Sequence, residues 1–288
     1  MNSTTVEILR AGRARAAVDV ADGGRLVSLT LDGVEVLGSE RPKTDEPSGW
    51  FHGCFPMAPY VGRVAGARFN FEERDYILPA NAGQDAGHGV VFDVPWQIAG
   101  PQTSTALSIE TCFDERWPFG GCAEQEFCLS DSQLRITLTV RNGLRRMPVM
   151  MGFHPWFRRD IGTGAAAYDV RPGLRHVPSS NAYAGEFTTV LGTRPWDDVF
   201  TQFETPPSIS WPGGPTLNLT SNSDTWVVFE QLENAFCIEP VSDPPGSLGA
   251  QKALSVGPGE EVEIWINIEW GAAQPAGRNR VSSGDDAS

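Results

Sequence analysis

The sequence predicts an all-β protein, built as a large antiparallel β-sandwich, from three observations. Apolar and polar residues alternate over many stretches, which is typical of strands with one buried face. The 31 glycines and 22 prolines among 288 residues exceed their usual share and indicate many turns. No long stretch has the 3.6-residue period of a helix, and strand patterns recur from residue 15 to residue 270. We therefore predict one sandwich domain over residues 1–270 and a disordered, small and polar tail over residues 271–288.

The clearest strands are two long alternating segments and two hairpins. In SQLRITLTVRN and EEVEIWINIEW, every second residue is Leu, Ile or Val, so each segment is predicted to be a strand with one solvent-exposed face. LTLDGVEV places Asp32 and Gly33 between two alternating runs, as a two-residue hairpin turn requires. ARFNFEERDYIL has the pattern of a second hairpin.

Charge and composition exclude several classes of partner. The net charge of −14 and the pI near 4.7 argue against nucleic acid, because phosphate binding needs a basic surface. The N-terminal segment lacks the apolar stretch of a signal peptide, and no run of about 18 apolar residues is present. We expect a cytoplasmic protein with a small-molecule ligand and no membrane association. No oligomeric state is predicted.

The five cysteines are odd in number and contain no Cys-x-x-Cys pair, which predicts neither a zinc site nor a complete disulfide framework. Most of them are expected to be small core residues. The four histidines show no closely spaced His-x-His, so no metal site is predicted.

Two similar segments contain the strongest candidates for chemistry. In MGFHPWFRR, His154 precedes Pro155, and in AFCIEPVSDPPG, Glu239 precedes Pro240. Because proline holds the preceding residue extended, we predict that each side chain lies at a strand end, an arrangement that would present an imidazole and a carboxylate across one cavity. Two alternatives stay open: packing at the end of a strand for His154, and acceptance of loop N–H groups for Glu239.

Three further residues have both a functional and a purely structural interpretation. His88 in AGHGVVFD lies between two glycines, which favours an uncrowded, ligand-facing imidazole or an ordinary surface loop. Arg63 in PYVGRV fits a ligand contact or a solvated strand end. Asp197 in RPWDDVF fits a ligand contact or a turn.

Taken together, these segments resemble the aldose 1-epimerase (galactose mutarotase) family. YVGRVAGARFNFEERDYILPANAGQDAGHGVVFDVPWQI has the family's order of an arginine motif, a hairpin, a Leu-Pro-x-Asn segment and a His-Gly loop. FHPWF, PWDDVF and CIEPVSDPP are similar to its later motifs. The resemblance implies a galactose mutarotase-like sandwich that interconverts sugar anomers without metal or other cofactor. It implies His154 as general acid and Glu239 as general base, with Arg63, His88 and Asp197 binding the sugar.

The sequence departs from the family pattern at positions that affect specificity. Gly62 replaces an Asn before the motif arginine, Gly87 replaces a bulky apolar residue before His-Gly, and an Asn beyond Pro-Pro is absent. The identity of the sugar is therefore left open. Alternative functions are an inactive sugar-binding or regulatory protein and a glycosidase using Asp197 and Glu239. Another is a sugar-phosphate (hexose-6-phosphate) 1-epimerase, with phosphate partners among Arg145, Arg146, Arg158 and Arg159.

Overall fold

The structure, a computed structural model, describes residues 6–39, 47–178 and 185–271. The tail predicted for residues 271–288 lies outside the described residues except for Gly271, the last residue of the final strand. No helix in these three ranges is long and apolar enough to cross a membrane.

The described ranges contain 25 strands and two short 3₁₀ turns, Ser48–Phe51 and Ala65–Ala67. The first thirteen strands are β1 (Val6–Ala11), β2 (Ala14–Asp19), β3 (Arg25–Leu31), β4 (Val34–Glu35), β5 (Cys54–Met57), β6 (Arg63–Val64), β7 (Arg68–Phe71), β8 (Arg74–Ile77), β9 (Ala86–Gly87), β10 (Gln97–Ile98), β11 (Ala106–Cys112), β12 (Cys122–Leu129) and β13 (Gln133–Arg141). The remaining strands are β14 (Met147–Val149), β15 (Gly152–Arg158), β16 (Ala167–Asp169), β17 (Pro172–Pro178), β18 (Gly185–Thr188), β19 (Asp197–Phe203), β20 (Ser208–Ser210), β21 (Thr216–Ser221), β22 (Thr225–Phe229), β23 (Ala235–Val241), β24 (Leu254–Val256) and β25 (Glu261–Gly271).

Two large sheets form the two layers of the molecule. The first has 11 strands in the order β1-β2-β3-β5-β15-β23-β22-β19-β17-β18, with β4 attached to β3. The second has 8 strands in the order β10-β11-β12-β13-β25-β21-β20-β16. Every pair of named strands is antiparallel. The predicted all-β antiparallel sandwich is confirmed.

The core lies between these sheets and follows from the alternation in the sequence. The two long alternating segments form β13 and β25, and they pair with each other so that Leu138 faces Ile264 and Ile136 faces Ile266. These side chains belong to one buried cluster with Phe153 and Phe157 of the first sheet. The cluster therefore ties the centres of the two sheets together.

Both predicted hairpins are present. Asp32 and Gly33 join β3 to β4 with positive φ angles of 53° and 84°. Glu72 and Glu73 join β7 to β8, also at positive φ.

The expectation that most of the five cysteines are core residues was wrong, because two of them are buried. Cys112 and Cys122 lie opposite each other on β11 and β12 and form a disulfide, which their separation of 10 residues across a hairpin makes possible. Cys54 and Cys237 are buried as expected, whereas Cys128 is exposed.

The predicted strand ends at His154 and Glu239 were also wrong. Both residues lie inside central strands, β15 and β23, and both are buried. Pro155 pairs with Cys54 and Pro240 pairs with Trp226, so neither proline ends its strand. In an antiparallel strand, backbone N–H groups alternate between the two neighbours, and a proline is tolerated where the ladder needs no donor.

Candidate active site

A cavity of about 380 Å³ lies on the face of the first sheet that points away from the second sheet. Its floor consists of side chains from the central strands, and its walls come from loops above them. The residues that line the cavity include Trp50, Arg63, His88, His154, Trp156, His176, Asp197, Val199, Val227 and Glu239.

Strand register explains how the floor is assembled. Gly152 pairs with Val241 and Trp156 pairs with Cys237, and the same register sets His154 opposite Glu239. Residues two apart on a strand share a face. His154 therefore points into the cavity, while Phe153 and Phe157 on either side enter the core.

His154 and Glu239 are in direct contact. The His154 Nε2 atom lies 3.3 Å from Oε1 of Glu239, and the Cys237 Sγ atom lies 3.5 Å from the His154 Nδ1 atom. Phe55 and Trp156 stack on the imidazole with ring centroids at 4.6 and 5.1 Å. Packing and hydrogen bonding together fix the orientation of the ring.

The surroundings favour the uncharged form of both groups. Burial raises the pKa of Glu239 well above its ordinary value, and the nearby Asp197 carboxylate raises this pKa further. Burial lowers the pKa of His154 well below its ordinary value, and His88 and the buried Arg25 guanidinium act in the same direction. Both shifts favour a neutral pair, in which the Glu239 carboxyl group is protonated and the His154 imidazole is uncharged.

His88 lies beside this pair. The sequence had favoured an uncrowded imidazole, but the ring is closely packed. Its backbone has a positive φ of 58° between Gly87 and Gly89. Its ring contacts Trp50 at 4.4 Å and His154 at 5.2 Å between centroids. Burial lowers the pKa of His88 to about 3, with a further contribution from the positive charge of Arg63, so the imidazole is neutral.

Gly62 and Gly87, which differ from the family pattern, both lie where a larger side chain would overlap a neighbouring residue. A Cβ at Gly87 would lie 2.5 Å from Cη2 of Trp50, so the indole fills the space above this glycine. Gly62 has a φ of +59°, and a Cβ there would overlap Pro245. Trp50 in turn accepts, through its carbonyl oxygen, a hydrogen bond of 2.7 Å from Nε1 of Trp156.

All five residues predicted from the sequence line this one cavity. His154 and Glu239 form its floor, Arg63 and His88 belong to its walls, and Asp197 begins β19 at its edge. The guanidinium of Arg63 lies 5.7 Å from the ring centroid of Trp50.

Sequence reasoning missed four other contributors. Trp156 and Cys237 lie two residues from His154 and Glu239, and a period-two argument from those residues would have found them. Trp50 and His176 come from distant segments, and no local signal marked them.

His154, Cys237 and Glu239 also form the one group within the described residues that could hold a metal ion. Their ligand atoms lie within 4.8 Å of one another. Imidazole, thiolate and carboxylate are ligands that Zn²⁺ accepts. The absence of a functional metal stays a prediction.

Comparison with known proteins identifies the family. The profile of the aldose 1-epimerase family matches residues 8–170, which is more than half of the chain. The chain belongs to the aldose 1-epimerase family. The matched region contains Arg63, His88 and His154, whereas Asp197 and Glu239 lie beyond it.

Two solved structures have the same architecture as this chain. A galactose mutarotase-like protein from Clostridium acetobutylicum is 16% identical, with 92% of this chain and 94% of that chain covered and a TM-score of 0.79. Galactose 1-epimerase from Lactobacillus acidophilus is 12% identical, with 93% and 99% covered and a TM-score of 0.69. These likenesses confirm the predicted galactose mutarotase-like fold.

A curated relative is the Escherichia coli K12 protein YphB, which is 31% identical over 145 residues. The match covers 49% of this chain and 48% of YphB, so it spans about half the length of that relative.

The buried carboxyl group predicts a stability change in the variant Glu239→Gln. Because the folded protein holds this proton more tightly than the unfolded chain, stability falls as the pH rises above the ordinary value of 4.5 towards the raised pKa. Glutamine removes this cost. At pH 7 we expect a higher Tm than wild type by on the order of 2–4 °C for each kcal/mol recovered, and at pH 4 no difference.

Thermal melts at both pH values test this, with Glu263→Gln, at an exposed position, as the matched control. A lower Tm for Glu239→Gln at pH 7 would contradict the protonation described above.

The close packing of Trp50 on Gly87 predicts that the substitution Gly87→Ala displaces Trp50 in the wall of the cavity. The new methyl group must displace the rigid indole, which costs roughly 1–3 kcal/mol of folding free energy. We expect altered near-UV circular dichroism and a lower urea midpoint. Gly271→Ala, where a Cβ would meet nothing within 4 Å, should change neither. Equal midpoints for the two variants would mean that Trp50 does not depend on Gly87.

Proposed function

We propose that this protein interconverts the α and β anomers of a free aldose by acid–base ring opening and reclosure. The observation that carries the proposal is the contact of 3.3 Å between a buried imidazole and a buried carboxyl group on the floor of a cavity. Ligand pockets of proteins span about 300–1,000 Å³, and 380 Å³ is at the small end, as a monosaccharide requires.

Ring opening of a pyranose needs one proton removed and one supplied. Glu239 as carboxylate takes the proton from the hydroxyl at C1, while His154 as imidazolium donates one to the ring oxygen. Rotation about the C1–C2 bond and reversal of the transfers then give the other anomer. No bond to another molecule forms, and no electrons are gained or lost.

The shifted pKa values suit this chemistry. Transfer of the shared proton from Glu239 to His154 across the 3.3 Å contact converts the resting neutral pair into the reactive ion pair. A carboxylate with a raised pKa is a stronger base, and an imidazolium with a lowered pKa is a stronger acid. The same burial that makes the ion pair unfavourable makes each partner more reactive.

Electrostatics favour an uncharged sugar over a sugar phosphate. Among the described residues that line the cavity, Arg63 has the one permanent positive charge, against the acidic residues Asp197 and Asp198. The four arginines considered as phosphate partners bond elsewhere. Arg145 and Arg146 bond to Pro118 and Ser255, and Arg158 and Arg159 bond to the backbone of Leu37 and Leu232.

Polarimetry of freshly dissolved α-anomers, with and without protein, tests the reaction across a panel of aldoses and aldose 6-phosphates. We expect faster equilibration of at least one unphosphorylated aldose and no change on dialysis against a chelator. Acceleration of phosphorylated sugars alone would support the sugar-phosphate alternative, and release of monosaccharide from a disaccharide would support a glycosidase. Sugar binding without any acceleration would support a regulatory protein.

The acid–base assignment predicts the kinetics of Glu239→Gln and His154→Asn. Each variant keeps the approximate side-chain shape but loses one proton transfer, so kcat should fall by about 10²–10⁴-fold. The wild-type profile of kcat/KM against pH should be bell-shaped, with both limbs belonging to the coupled pair.

His52→Asn is the matched control, because His52 contacts Asp22 and is not among the residues that line the cavity. A kcat near that of wild type in Glu239→Gln or His154→Asn would show that the substituted residue has a structural role and no catalytic one.

A further inference from the structure

The row of side chains that contains the proposed acid and base continues across the sheet to another histidine, His176. Glu239 pairs with Val227, Val227 with Val199, and Val199 with His176. All of these side chains line the cavity, as does His154. Three strand spacings of about 4.8 Å place the Cα atoms of Glu239 and His176 roughly 14 Å apart along the sheet. The floor therefore has a polar group at each end.

The middle of this row is apolar. Val199 and Val227 present only methyl groups to the cavity between Glu239 and His176. Such a surface suits the C–H face of a sugar ring, whereas the hydroxyl groups around the ring edge need polar partners. A sugar lying over the valines with its C1 hydroxyl at Glu239 directs its opposite edge towards His176.

His176 has unused hydrogen-bonding capacity. The residue is 4% exposed, and its buried Nδ1 atom has no hydrogen-bond partner among the residues that the structure describes. A hydrogen bond between the ring and the backbone of Gly185, together with a ring contact of 5.3 Å with Phe187, holds the imidazole in place. A buried polar atom without a partner is unfavourable, and a ligand hydroxyl would satisfy it.

The imidazole is suited to a neutral hydroxyl group. Burial lowers the pKa of His176, and the positive charge of Lys252 lowers it further. A neutral ring both donates and accepts a hydrogen bond, as a hydroxyl does.

We propose that His176 binds a hydroxyl group on the edge of the sugar opposite the hemiacetal and thereby selects among aldoses that differ at that carbon. This inference rests on the proposed function, because it takes the orientation of the sugar from the contact of C1 with Glu239. His176 is a binding residue in this account and takes no part in proton transfer.

The test compares wild type, His176→Phe and His176→Gln on the best aldose of the panel and on its 2-, 3-, 4- and 6-deoxy analogues. Phenylalanine keeps a ring but removes both nitrogen atoms, whereas glutamine keeps a donor and an acceptor. For the parent sugar, we expect His176→Phe to raise KM roughly fivefold to tenfold with little change in kcat, and His176→Gln to recover part of the loss. On the deoxy analogue that lacks the hydroxyl group bound by His176, wild type and His176→Phe should have the same KM.

His52→Phe is the control, since it removes a histidine that does not line the cavity. An equal penalty on the parent sugar and on every analogue, or no penalty at all, would overturn the assignment of His176 while leaving wild-type activity in place. An inactive wild type on every sugar would instead reject the proposed function and this inference with it.

A second readout does not depend on the folding of a variant. In wild-type protein with ¹⁵N-labelled histidine, the ring nitrogen resonances of His176 should move on addition of the parent sugar. They should move much less with the deoxy analogue that lacks the bound hydroxyl. Identical shifts with the parent and all analogues would contradict a direct hydrogen bond.

Discussion

A carboxyl group and an imidazole lie side by side in the middle of the large sheet, shielded from water, and the rest of the cavity depends on this contact. Ionisable groups are rarely buried without partners, because desolvation of a charge is costly. Here, burial raises the pKa of Glu239 and lowers the pKa of His154, so both shifts favour the uncharged forms. The position of the two residues opposite each other on β23 and β15 brings them into contact, since two adjacent antiparallel strands fix the separation of facing side chains.

The surrounding layers maintain both the geometry and the low polarity of this contact. Phe55 and Trp156 stack on His154, and the hydrogen bond from Trp156 to Trp50 connects the floor to the wall. Trp50 in turn needs the space above Gly87. A glycine that departs from the family pattern is thus linked through two tryptophans to the orientation of His154, so the cavity wall and its floor share one packing arrangement.

Local sequence patterns predicted individual strands and hairpins. Alternation in the sequence located β13 and β25, and the turn residues located both hairpins. The rule that proline favours a strand end failed at His154, because whether a strand needs the missing N–H depends on its neighbours in the sheet. The row that leads from Glu239 to His176 joins strands far apart in sequence, and only their register brings it together. The five predicted site residues were candidates from their local segments, and the resemblance to a family implied their roles, but neither indicated Trp50 or His176.

The protonation of the pair in the unliganded protein is the central claim, and nuclear magnetic resonance measures it directly. Protein labelled with ¹³C at glutamate side chains and with ¹⁵N at histidine should be titrated without sugar. We expect the Glu239 carboxyl resonance to titrate well above pH 4.5 and the His154 ring to stay neutral well below pH 6.5. Substitution of His154 or Glu239 should identify each resonance. A Glu239 carboxyl group that ionises at its ordinary pKa, beside a His154 ring that becomes protonated near pH 6.5, would contradict the account.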